Sequence, residues 1–239
     1  MTILPNMRNH RWGRFRSCPL AGRLIMDCRS SIFLQGKPQQ ACRTVAGLQR
    51  NCKTADRKAR QRKGRAAMSE WEISTDRLFI RPMRVAEARE WHIIRASAPY
   101  DPVTRSMDES VAMIAAMQAR AAPDSDGWQQ FSILAKDGSM IGDLGIRFSP
   151  PFNATAEIGF AVDVAQRGKG IASEAVGAMV RLLFHRGRRR VMAVTDVRNR
   201  AAQRVLERNW FRLEGRFVES WRDGNQWFDE LSYARLVSD

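Results

Sequence analysis

Between residues 156 and 175 the chain reads AEIGFAVDVAQRGKGIASEA, and the chemistry on offer there is the capture of an anion. Glu157 to Val162 is short and largely apolar, the pattern of a buried strand. Apolar residues then resume at helical spacing with Ile171, Val176, Met179, Val180 and Leu183. Between the two lies Arg167-Gly168-Lys169-Gly170-Ile171-Ala172. The first N–H groups of a helix lack internal partners and the macrodipole adds partial positive charge, so this order predicts a pyrophosphate cradle. Gly168 and Gly170 remove the Cβ atoms that block close approach and permit backbone angles that other residues avoid. Arg167 and Lys169 add full charges. The spacing lacks the G-x-G-x-x-G of dinucleotide folds and the G-K-[ST] of a P-loop, which argues against a nicotinamide or a nucleoside triphosphate. A glycine pair before a helix also serves ordinary turn geometry, so the rest of the chain must decide.

What remains is Arg-x-x-Gly-x-Ala, formed by Arg167, Gly170 and Ala172. It resembles the pyrophosphate loop, Gln/Arg-x-x-Gly-x-Gly/Ala, of the GNAT superfamily of acyl-CoA-dependent N-acetyltransferases. Two further segments extend the resemblance to the ribosomal-protein N-terminal acetyltransferase (RimJ/RimL-like) branch. Thr75-Asp76-Arg77-Leu78-Phe79-Ile80-Arg81-Pro82 is similar to its opening Thr-Glu-Arg-Leu-x-Leu-Arg-Pro. Asn199 to Phe211, NRAAQRVLERNWF, is similar to its Asn-x-x-Ser-x-Arg-Val-Leu-Glu-Lys-Leu-Gly-Phe. The resemblance covers about Met68 to Asp239.

It implies a single-domain α/β fold with a mixed sheet, the GNAT acyl-CoA N-acyltransferase fold, and acetyl-CoA as acyl donor. Strands Ala156–Val162 and Val191–Val197 would splay apart and admit the pantetheine arm as a surrogate strand. Backbone groups of Phe160, Ala161 and Val162 would then bond the pantetheine amides and the thioester oxygen. The N–H groups of Gly168, Lys169, Gly170, Ile171 and Ala172, beside Arg167, would hold the pyrophosphate, and Asn199 would bond a pantetheine carbonyl.

The chemistry implied is acyl transfer to an amine. Residues 68–239 contain no cysteine and no G-x-S-x-G elbow, so direct attack of the amine on the thioester is the economical route, resting on proximity and a backbone oxyanion donor. Glu157, on the strand that would bear the thioester and where the family often has a carboxylate, is the candidate base, alone or through water; the alternative is a strand-edge Glu that only orients substrate. Three positions depart from the family. Leu206 stands where many members have a Tyr acid, Ala202 where the branch has Ser, and Trp210 where Gly is usual. These departures keep a non-catalytic acyl-CoA-binding or ribosome-associated module open beside the transferase. The resemblance makes the acceptor a protein N-terminal α-amine, ribosomal or other; a polyamine, amino acid or aminoglycoside amine is the alternative. It also leaves room for a homodimer.

Other elements must position these groups. A short strand is expected at Leu78–Arg81, helices at Val85–Ser97 and Asp108–Arg120, and strands at Gln129–Lys136, Met140–Phe148 and Ala154–Val162. The Asp137-Gly138 and Pro150-Pro151 links join these three. After the helix that ends near Gly187 come strand Val191–Val197, helix Ala201–Arg208 and a hairpin, Phe211–Trp221 with Gln226–Leu236, turned by Asp223-Gly224. His185 to Arg190 reads as helix capping rather than a nucleic-acid patch. His92 and His185 are isolated, so no metal is expected. Trp91 reads as core. Asp143, between Gly142 and Gly145, is either a substrate contact or a strand irregularity.

The formal net charge of +15 is unevenly placed. Residues 1–67 hold 16 Lys and Arg against 2 Asp and Glu, whereas residues 68–239 hold 24 against 23. The first segment therefore reads as a disordered basic extension in front of one nearly neutral domain. Three accounts of it compete: a start upstream of the true one at Met68, an RNA-touching arm, which is the only case in which nucleic-acid contact is expected, and a transit peptide. Cys18, Cys28, Cys42 and Cys52 all lie there, too widely spaced for a zinc module. No secretory or membrane-spanning run precedes them, so a reduced, cytoplasmic chain without membrane contact is expected.

Overall fold

The computed structural model describes Thr2–Ile3 and residues 70–100, 104–120, 127–148 and 154–239, all within one compact unit. The expectations for the basic extension, its cysteines, and the Pro150-Pro151 link lie outside the described residues.

Nine strands form one sheet among the described residues: β1 (Thr2–Ile3), β2 (Ile73–Ser74), β3 (Leu78–Pro82), β4 (Gly127–Ala135), β5 (Met140–Phe148), β6 (Thr155–Val162), β7 (Arg190–Asp196), β8 (Arg212–Asp223) and β9 (Gln226–Leu236). Their order is β2-β3-β4-β5-β6-β7-β9-β8, with β1 added beside β6. Every pairing is antiparallel except β6 with β7. That exception has a topological cause: β6 and β7 are joined through a helix, and a crossover returns the chain in the same direction. The sheet is thus mixed.

Among the described residues four α-helices cover it: α1 (Ala88–Ala96), α2 (Met107–Gln118), α3 (Ile171–His185) and α4 (Arg200–Arg208). Val85–Glu87 forms a 3₁₀ turn that leads into α1, where a continuous helix from Val85 is expected from sequence. Ser106 and Glu109 cap α2 reciprocally, which fixes its start. Strand alternation divides the residues between two cores. Leu144, Ile146, Ile158, Phe160 and Val162 pack with Val176, Met179, Leu183 and Leu206 of α3 and α4. Met83, Trp91, Ile114 and Met117 pack as a second cluster on the other face, with α1 and α2. Trp91 is core, as its position in the α1 pattern predicts.

The cations after α3 serve packing. Arg186 lies 4.8 Å over the Trp71 ring and Arg188 lies 5.2 Å over Phe148, while Arg190 pairs with Glu214. Asp143 is neither a bulge nor a substrate contact: the register shift in that hairpin falls at Ile133/Leu134. Its carboxylate is fully buried and accepts from Arg95 Nε at 3.1 Å and Nη2 at 2.8 Å, tying α1 to β5. The residue type alone could not reveal this, because Arg95 lies 48 positions away.

Candidate active site

β6 and β7 pair at only three positions, Thr155 with Arg190, Ala156 with Val191 and Glu157 with Met192, and then part. Beyond Glu157 the edge of β6 that faces β7 is open to another extended chain. Thr2–Ile3 takes that place here, pairing antiparallel with Ala161 and Phe160 and lying against β7 as well. The gap therefore has the width and backbone polarity of one strand, which are the requirements for an amide-bearing arm.

At the far end of β6 the anion loop begins. Asp163 accepts from the Ala165 N–H and shapes a 3₁₀ turn, Val164–Gln166. Gly168 and Gly170 have φ of 77° and 79°, left-handed values at which a side chain is strained. Gly170 is the N-cap of α3 and offers no side-chain acceptor, so the first N–H groups of α3 are left for a ligand. Ile171 and Ala172 are buried at the same turn. The loop is braced from the turn between β2 and β3: Arg77 Nη1 donates to the Lys169 carbonyl at 3.0 Å and Nε to Glu174 at 2.7 Å. Thr75 Oγ1 donates to Glu174 at 2.5 Å. Burial pushes the Glu174 carboxyl up, but these bonds outweigh it and hold it below the usual carboxylate range. The Thr-x-Arg-Leu segment thus carries the loop's support, a role that spacing alone does not reveal.

The two cations expected beside the loop behave differently. Arg167 Nε donates to the Val162 carbonyl and Nη2 to the Ser97 carbonyl, so this guanidinium ties the loop to β6 and to the end of α1. Lys169 is exposed and donates to Gln166. Arg204 and Arg208 complete the charge. They project from α4 into a cavity of about 240 Å³ that also receives Val162, Gly168, Gly170 and Ala172. Neither belongs to the loop motif; their i, i+4 spacing on one helix face, with Ala201, is the sequence signal that marks them. Asn199 is buried and accepts from the Ala202 N–H at 3.1 Å, capping α4.

Glu157 stands at the apex of the split, 8 % exposed, with Arg147 Nη1 3.5 Å from its carboxylate. Burial pushes its carboxyl up, Arg147 draws it back, and the nearby Glu230 carboxylate pushes it up again. Alternation along the strands puts Glu157, Asp196 and Glu230 on the face of α1 and α2. The anion loop and α3 lie on the other face.

A cradle of open helix amides, two lining arginines and a strand-wide split fit a nucleotide thioester such as acetyl-CoA, whose chemistry is an activated acyl group. The profile of the family described as acetyltransferase (GNAT) domain matches residues 77–212, more than half of the chain. The chain belongs to the GNAT acetyltransferases. As such it is an acetyl-CoA-dependent N-acetyltransferase. The ribosomal-protein-serine acetyltransferase of Escherichia coli is 30% identical over 112 residues, 46% of this chain and 63% of that protein. The chain thus spans less than two thirds of that relative. RimJ of Mycobacterium smegmatis, solved with a CoA disulfide, has a TM-score of 0.59 at 24% identity, over 67% of this chain and 82% of that one. A spermidine N-acetyltransferase variant from Vibrio cholerae has a TM-score of 0.60 at 18% identity, over 69% and 96%. At such identities these two solved structures speak for the fold. Among the described residues of this GNAT chain no group of three His, Cys, Asp or Glu is placed to hold a metal, and no helix is long and apolar enough to cross a membrane.

Proposed function

We propose that this GNAT enzyme acetylates the N-terminal α-amine of a protein, a ribosomal protein being the first candidate, with Glu157 as the base. The observation that carries the reading is the position of Glu157, a buried carboxylate at the apex of the split. An α-ammonium of pKa about 8 gives up its proton to such a base, directly or through water, far more readily than a lysine or polyamine ammonium near 10.4. Glu157 then holds the proton while the amine nitrogen bonds the acyl carbon. The carbon–sulfur bond breaks and its electron pair leaves on sulfur. Backbone N–H groups along β6 supply the oxyanion donor.

A polyamine is the second reading, favoured by one observation: Glu230 shares the Glu157 face, and Asp196 lies opposite it in the β7–β9 ladder. Asp196 is occupied by Arg198 and by Trp221 Nε1, whereas Glu230 accepts from Ser220 Oγ at 2.9 Å. A thiol-release assay with acetyl-CoA and a panel of Ser- and Ala-starting peptides, spermidine and aminoglycosides decides. Turnover confined to peptides supports the first reading; turnover confined to spermidine replaces it with the second.

A further inference from the structure

The resemblance puts a Tyr acid, found in many members, at the position of Leu206 and the branch's Ser at Ala202, and neither side chain here has a proton to give. A hydroxyl stands on β7, the strand that borders the split. Thr195 is 3 % exposed, and its Oγ1 is buried without a hydrogen-bond partner. An unsatisfied buried hydroxyl is expensive, on the order of 1–3 kcal/mol, and stays in a fold when something else uses it.

Its place in the sheet says what that use is. Thr195 is in the stretch of β7 that pairs with β9 on one side, through Leu231, and is released by β6 on the other. Carried three residues past Glu157 and Met192, the β6–β7 register sets Thr195 level with Phe160, the residue whose backbone takes an added strand. Alternation puts Thr195 on the face of Val191 and Ala193, which pack with α3 and α4, and so on the face of the anion loop. Glu157 points to the opposite face. A base on one face and a hydroxyl on the other is the arrangement that addition to a thioester requires, with the amine arriving on the first side and sulfur departing on the second. At about 3.3 Å per residue, roughly 10 Å of strand separates the two levels, room for the amine nitrogen and the acyl carbon between them.

We infer that Thr195 Oγ1 donates a hydrogen bond to the thioester sulfur and then to the thiolate, standing in for the missing Tyr or Ser. The threonine keeps its proton; it stabilises the electron pair that sulfur carries away, and the thiolate leaves as such or takes a proton from water. This rests on the N-acetyltransferase reading.

Thr195→Val and Thr195→Ser test it with three readouts. The first is the ultraviolet titration of the thiol of CoA bound to the protein. A lost donor to the thiolate should raise the midpoint by about one pH unit in the Val variant and leave it near wild type in the Ser variant. The second is thermal unfolding without ligand, where Val, having no unsatisfied hydroxyl, should melt no lower than wild type. The third is kcat with the acceptor found above, which should fall roughly 10- to 100-fold in Val, with KM for acetyl-CoA little changed, and recover in Ser. An unchanged titration midpoint in Thr195→Val with CoA still bound overturns the inference alone. A lower melting temperature for Val also overturns it, since the hydroxyl would then have a partner in the fold. Wild-type protein that fails to bind CoA overturns the inference and the acetyl-CoA reading together, whereas CoA binding without turnover, with the midpoint shifted, retains Thr195 and removes only the acceptor proposal.

Discussion

Glu157 and Met192 are the last pair in the one parallel ladder of the sheet, and from that pair onward β6 and β7 diverge. The carboxylate therefore stands where the gap begins, buried enough that its pKa is raised and close enough to Glu230 to be raised further. A base acts only when deprotonated, so kcat should fall as pH drops through a midpoint above the ordinary carboxylate range. Glu157→Gln should lower kcat about 100-fold at pH 8, with acetyl-CoA binding retained, and the gap to wild type should close toward low pH. The stability linkage has its own sign. A carboxyl whose folded pKa lies above its unfolded one stabilises the protonated state, and that contribution is lost as pH rises through the folded value. The Gln variant should thus equal wild type in acid and become the more stable of the two at neutral pH. A kcat profile in which both proteins share the same acid limb would reject Glu157 as base.

Arg204 and Arg208 line the cavity at the start of α3 from the facing helix, and both are exposed at its rim. Charge-assisted contacts to phosphate at an exposed site are screened by salt. Arg204→Ala and Arg208→Ala should each raise KM for acetyl-CoA about 5- to 10-fold at low ionic strength, less at 0.5 M salt, with kcat unchanged. Initial-rate kinetics at two salt concentrations reads this out. Arg167→Ala should behave differently: its guanidinium joins Val162 and Ser97, so its loss should show first as a lower melting temperature.

Much of this was legible in the chain. Met140–Phe148 is a strand with the bounds that its pattern sets, and α3 begins at Ile171, where apolar spacing changes from strand to helix. Such elements announce themselves because periodicity and end signals are local. The missed features are long-range. Arg95 meets Asp143 and Arg77 meets Glu174 across 48 and 97 residues, and no spacing rule connects them. The family motif makes Asn199 a ligand contact, and the same Asn chemistry that suits a ligand also caps α4. The unpartnered hydroxyl of Thr195 is likewise a property of the packed fold, one of several buried polar atoms without a partner, and no local pattern marks it.

Thr2–Ile3 uses the same β6 edge, at Phe160 and Ala161, that an incoming pantetheine arm needs. The two cannot occupy it together. A pairing of two residues contributes on the order of 1 kcal/mol, which corresponds to roughly a fivefold change in apparent affinity. Protein lacking residues 1–67 should therefore show a KM for acetyl-CoA about fivefold lower, with kcat preserved. Equal KM values for the two forms would mean that the pairing does not compete with the donor in solution.

Trp210 occupies the position where relatives in this branch carry Gly, and its backbone explains that preference. It follows α4 with φ of 62°, left-handed, and its indole is 76% exposed. Its N–H reaches back to the Glu207 carbonyl at 3.0 Å, and the Phe211 N–H bonds Leu206, so the tight reversal keeps its hydrogen bonds whatever the residue. An L-residue held there costs about 1–2 kcal/mol relative to glycine, while glycine returns part of that through the greater freedom of its unfolded chain. With little indole area to lose, Trp210→Gly should stabilise the domain by about 0.5–1 kcal/mol, seen as a higher denaturant midpoint at an unchanged slope. A lower midpoint would show that the indole is covered in solution, and a concentration-dependent melting temperature in wild type alone would identify a second copy of the chain as the cover.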